Sequence, residues 1–136
     1  MKFNKLNLQW NAQPNAPLPK VSVQGNIVLL EFILNHYIYK QFKEGQKGRI
    51  EFVECYMYRL GPVNDEGFSR GQFRYGPKDI PWGEFYELKD SNWRVNFPDD
   101  KVIIDQTLED SKDLKHYIFF FRDETFECIA KSFVFN

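Results

Sequence analysis

The chain has little of what most often carries chemistry. Its 136 residues include two cysteines, two histidines and two methionines. Zinc sites as a rule bring at least one pair of ligands close together in sequence, whereas Cys55 lies far from Cys128 and His36 far from His116. No metal and no cofactor is expected on that pattern. A cysteine–histidine nucleophile is disfavoured for a local reason: both cysteines fall inside apolar strand patterns, where burial raises the thiol pKa and leaves it inert. Net charge is small as well, −1 with a pI near 6.1, so there is no basic field to hold a phosphate backbone and nucleic acid is not an expected partner. Long apolar runs are missing too. Nothing approaches the roughly 18 residues of a membrane span, and the opening MKFNKLNLQW lacks the apolar stretch of a secretion signal. No membrane contact and a cytoplasmic setting are the expectations.

What is abundant is aromatic surface: 18% of the chain, with fourteen phenylalanines. That is enough to stabilise one domain over residues 1–136 without a disulfide, since a chain of this size buries roughly two thirds of the surface its unfolded form exposes. The densest stretch is HYIFFFRDETFECIA, residues 116–130. Residues 117–121 are apolar without a break and read as a strand buried on both faces. After Arg122, Asp123 and Glu124, alternation resumes at Thr125. Residues opposite one another in an antiparallel pair share a face, so an even loop is preferred. It sets Phe121 against Phe126, Phe119 against Cys128 and Tyr117 against Ala130, leaving Phe120 opposite Glu127 and Ile118 opposite Ile129.

Elsewhere Phe3, Leu6, Leu8 and Trp10 suggest an opening strand, ended by the prolines of NAQPNAPLPK. Gly25-Asn26 signals a hairpin turn that pairs Val23 with Val28 and Val21 with Leu30. The run from Ile27 to Leu34 fits a strand or a helical stripe, and its β-branched residues favour strand. Asn35 is placed to cap a short helix over residues 36–43. Residues 50–60 alternate, with Val53, Cys55 and Met57 expected inward and Tyr56 and Tyr58 on a half-exposed face. A strand is expected over 84–88. Trp93, Val95 and Phe97 followed by Val102 to Ile104 read as a further hairpin, residues 105–115 as a loop or one helical turn, and Phe133 with Phe135 as a last short strand. The sum is a mainly β fold, all-β or α+β. Its chiefly antiparallel sheet is expected to close as a barrel or sandwich, with at most one or two short helices.

Residues 61–83 contain five glycines and three prolines, and a connection of that length within a compact domain tends to be functional. Trp, Tyr and Arg dominate binding hot spots. The candidate binding residues are therefore Tyr56, Tyr58, Asn64, Asp65, Glu66, Arg70, Arg74, Tyr75, Trp82 and Glu84; no catalytic residue is assigned. Asn64-Asp65-Glu66 lacks the alternating spacing of a calcium loop. Two other readings stand beside protein binding: an aromatic-lined cavity for a small apolar or saccharide ligand, and a carboxylate-dependent hydrolase using Glu84, whose neighbour Glu87 falls on the opposite strand face.

The motifs WNAQPNAPLP, YRLGPVNDEGF, PWGEFYEL and FFFRDETFECIA resemble those of small bacterial proteins, some of them encoded beside toxin and immunity genes. The resemblance spans most of the chain. It implies a cytoplasmic, non-enzymatic binding protein of the immunity type with a protein partner, and it transfers no functional residue.

Overall fold

A computed structural model describes residues 1–61, 81 and 83–136. Eight strands form one antiparallel sheet: β1 (Lys2–Lys5), β2 (Lys20–Gln24), β3 (Ile27–Ile33), β4 (Lys47–Gly61), β5 (Phe85–Lys89), β6 (Val102–Ile103), β7 (Lys115–Phe120) and β8 (Thr125–Phe135). Their order is β1-β5-β7-β8-β4-β3-β2, with β6 paired to β4. A single helical turn, α1 (Trp93–Asn96), and a 3-10 turn at Gln106–Leu108 complete the regular structure of the described residues. No helix among these residues is long and apolar enough to cross a membrane.

The sheet curls over on itself. In a flat sheet of this order β3 and β7 would stand three strand spacings apart, roughly 14 Å, yet the rings of Phe32 (β3) and Phe119 (β7) have centroids 5.1 Å apart. Phe52 of β4 likewise meets Phe85 of β5 at 6.0 Å, and Phe85 meets Phe133 of β8 at 5.2 Å. Strands β4 and β8 run through both halves of the fold. The curl is built into β4. Glu54 takes a left-handed φ of 50°, and the pairing slips between Cys55 and Met57, so that Tyr56 and Met57 together oppose Ile129. Bulges of this kind bend a strand and add twist.

The bulge also corrects the expected facing of β4. Ile50 and Phe52 point into the main core before Glu54 and Cys55 after it, with Tyr58 and Leu60 packed alongside beyond the slip; Tyr56 and Met57 pack on the back of the sheet. A strict period of two cannot follow such a change of phase.

The expected barrel does not close among the described residues, because β1 and β2 are the unpaired ends of the order. Residues 6–19 span the gap. Leu6 donates to the Phe85 carbonyl on one side; on the other, the Gln13 amide donates to the Ile33 carbonyl and the Ile33 amide to that of Pro17. Trp10 is thereby driven into the core, stacked on Phe135 at 3.9 Å and on Phe32 at 5.7 Å. Leu8 is 75% exposed, so the Leu6-Leu8-Trp10 alternation is not a strand; the strand lies earlier, at Lys2–Lys5.

The β2–β3 turn and its register, Val21 with Leu30 and Val23 with Val28, are as expected, and Ile27–Ile33 is a strand. The β7–β8 loop is even, so the expected faces hold: Tyr117, Phe119 and Phe121 share the core with Phe126, Cys128 and Ala130. The pairs themselves differ by two residues. Phe119 opposes Phe126 and Tyr117 opposes Cys128, because the loop takes four residues, closed by the Phe121 amide on the Glu124 carbonyl.

Asn35 does accept amide bonds from Tyr37 and Ile38, but turns follow rather than a helix. Tyr37 and Ile38 are exposed, so there is no buried stripe to sustain one. Trp93 and Phe97 belong to no hairpin: they sit four residues apart on α1 and its cap, against Tyr56 and Met57, while β6 pairs with β4. Asp105 caps the 3-10 turn. Phe133 and Phe135 extend β8.

Candidate functional site

Three of the ten candidate binding residues are described, and they serve different neighbours. Tyr56, expected half-exposed, is buried and meets Trp93 edge-on at 6.1 Å; the bulge turned it to the back of the sheet. Tyr58 stacks on Phe126 at 6.2 Å beside the core. Glu84 is an anchor for the N-terminal segment. Its carboxylate accepts from Asn7 at 2.6 Å and Asn11 at 3.3 Å and pairs with Lys5 at 3.2 Å. Both of its oxygens are thus engaged in holding the crossing segment. Burial and the nearby Glu84 push the Tyr86 hydroxyl up to about 12, and it donates to the Pro81 carbonyl at 2.9 Å. Asn64, Asp65, Glu66, Arg70, Arg74, Tyr75 and Trp82 lie outside the described residues. So do residues 67–71, Gly-Phe-Ser-Arg-Gly, which carry the GxSxG spacing of a serine nucleophile loop.

The described flanks of that long connection nevertheless converge on one end of the folded sheet. Gly61 pairs with Thr125, next to the β7–β8 turn, and the Glu84 carbonyl accepts from Phe120. Two clefts meet here at Phe121. One, about 270 Å³, lies between Asn11–Pro14, Ile38, Gly83 and Arg122. The other, about 360 Å³, lies between Asn15–Pro19 and the carboxylates of Asp123 and Glu124. Arg122 donates to the Asn15 carbonyl, and Gln41 to that of Gln9, so the turn after β3, the crossing segment and the β7–β8 turn form a joined surface. On it Leu8 (75%), Leu18 (71%), Tyr37 (55%) and Ile38 (70%) stand exposed. None of these four was a candidate from sequence; an apolar residue in a polar turn is the signal that pointed to them.

A second constellation, also missed, lies behind β7. Ser91 Oγ is 2.7 Å from His116 Nδ1, and His116 Nε2 is 3.0 Å from Glu127 Oε2. All three residues are buried. The two-residue difference in hairpin register hid this pairing: in the true register Glu127 opposes Ile118 and lies diagonal to His116 on the same face. The thiols offer less. Cys55 and Cys128 are free and buried, and burial together with the neighbouring Cys55 pushes the Cys128 thiol well up.

Comparison of the chain with protein-family models, with curated protein sequences and with solved structures finds no match.

Proposed function

We propose that the protein is a protein-binding module of the immunity type, and that its partner docks on the apolar end of the folded sheet. The observation that carries this reading is the joined surface bearing Leu8, Leu18, Tyr37 and Ile38 in the open, beside Arg122, Asp123 and Glu124. Exposed apolar residues at one end of a sheet, beside charges of both signs, suit a protein interface. The described flanks of the connection that holds Asn64, Asp65, Glu66, Arg70, Arg74, Tyr75 and Trp82 lie at this same end, and these residues, chosen by type, are proposed as further partner contacts. The bacterial resemblance adds the expectation of a toxin as partner and of a cytoplasmic setting.

The test is capture of a stoichiometric partner by tagged protein, repeated with Ile38→Asp, Leu18→Asp, Arg74→Ala and Trp82→Ala. Exposed Ile38 and Leu18 contribute little to stability, so their variants should keep the melting temperature within a few degrees. Each should weaken binding by more than about 1 kcal/mol if it is an anchor. Undiminished capture by all four variants would sink the proposal.

A further inference from the structure

Ser91 and His116, backed by Glu127, line a cleft separate from the proposed interface, and nothing in partner binding requires it. Ser91 sits where β5 gives way to α1, between two non-glycine residues held in the left-handed region, Asp90 at φ 58° and Asn92 at φ 55°. Its backbone carbonyl is fixed by the Asn96 side chain. A serine on a sharp strand-to-helix turn is the arrangement that presents a nucleophilic hydroxyl at the edge of a sheet. The hydrogen bonds then set the imidazole. With Glu127 accepting at Nε2, His116 carries its proton there, and Nδ1 is left to accept from the Ser91 hydroxyl. That is the tautomer a general base needs, held by a carboxylate that orients it from the next strand. The cleft onto which Ser91 and His116 open has a volume of about 480 Å³ and is walled by Leu88, Trp93, Leu114 and Lys115, a size suited to a small molecule.

We infer that Ser91 is a nucleophile, with His116 as its base and Glu127 as the positioning residue, in an acyl-transfer site that takes small carboxylic esters. Ser91 Oγ attacks the ester carbonyl carbon while its proton passes to His116 Nδ1. The bond from that carbon to the alkoxy oxygen breaks, and the departing alcohol takes the proton from His116. Water then adds to the acyl carbon, losing a proton to Nδ1. The carbon–Oγ bond breaks, Oγ recovers the proton, and a carboxylic acid is released. An ester is the fitting class because its leaving alkoxide demands less assistance than an amide nitrogen.

The full-length protein is treated with a fluorophosphonate probe, the adduct is mapped by peptide mass spectrometry, and p-nitrophenyl acetate turnover is followed beside it. The expected result is a single adduct on Ser91, with turnover at least about 100-fold lower in Ser91→Ala. Glu127→Gln should lower kcat by at least about tenfold with KM unchanged, the mark of a group that acts through His116 and not on the bound ester. No adduct on Ser91 in the folded, unmutated protein, or equal turnover by Ser91→Ala, overturns the inference and leaves the three residues as a structural relay. Mapping the unmutated protein decides the matter even where a variant fails to fold.

Discussion

The β7–β8 hairpin buries both of its faces, by different means. On the front, Tyr117, Phe119 and Phe121 join Phe126, Cys128 and Ala130 in the main core. On the back, His116, Ile118 and Phe120 lie with Thr125, Glu127 and Ile129; three of these six are polar, and the stretch nearest α1 is a polar chain, Ser91 to His116 to Glu127. The front is stabilised by area and ring packing, which are non-directional and tolerate small shifts. The back depends on particular donors meeting particular acceptors, since a buried polar group without its partner costs more than the bond contributes. Near α1 it is covered by residues 90–114, whose regular structure is two single turns and the two-residue strand β6, tied by Arg94 to the carbonyls of Glu109 and Ser111 and by Ile104 to that of Tyr56. Large losses of packing should therefore register on the front, and single misplaced atoms on the back.

The largest effect is expected at Trp10. Its indole contacts Phe32, Phe85, Phe119 and Phe135, elements from both halves of the curled sheet. Trp10→Ala should cost about 3–5 kcal/mol in urea unfolding, the range for removing a large buried aromatic. A loss under about 1 kcal/mol would mean that residues 6–19 merely lie over the core, and the gap between β1 and β2 would then need another explanation.

Next comes Glu127. Glu127→Ala removes the buried hydrogen bond between Glu127 and His116 Nε2, and a loss of about 1–3 kcal/mol is expected. Glu127→Gln keeps an acceptor and should lose less. The comparison sharpens if Glu127→Leu is also costly. It breaks if Glu127→Leu is neutral or stabilising, as apolar replacement of a buried ionic group sometimes is; the back face would then be an ordinary apolar layer that merely accommodates the polar chain.

The two faces also differ in how far they can be read from sequence. The front was legible because its signal is additive. Parity of the β7–β8 loop alone placed all six core residues, and a two-residue difference in pairing left every facing unchanged. The same difference erased the back, where the diagonal from His116 to Glu127 exists in one register only. Strand β4 failed in the middle for a related reason: Glu54 in a left-handed conformation and the slip at Tyr56 and Met57 reverse the phase, and no glycine or proline marks the place. Trp93 and Phe97 alternate like a strand yet sit at helical spacing, because both i,i+2 and i,i+4 patterns fit three apolar residues in five. Of the site residues, Glu84 stood out in the sequence but its contacts did not; its asparagine and lysine partners lie at the far end of the sequence.

The smallest effect tests the cover of the back face. Hydrogen bonds from the Thr107 hydroxyl, then from Asn26 and the Thr107 amide, hold the Asp105 carboxyl below its ordinary value, near 3.9 in an unfolded chain, roughly. The folded protein binds that proton less readily than the unfolded chain does. The stabilisation is therefore complete above the unfolded value and is lost as pH falls through the folded one. Asp105→Asn removes the titration while keeping one acceptor for the cap. The melting temperature of the native protein should exceed that of Asp105→Asn near pH 6, and the gap should shrink as the pH is taken below about 4. A gap that stays constant to pH 2.5 would show that the carboxylate charge contributes nothing to the turn. The cover would then rest on Leu108 and Phe97 packing against Met57, by the same means as the front face.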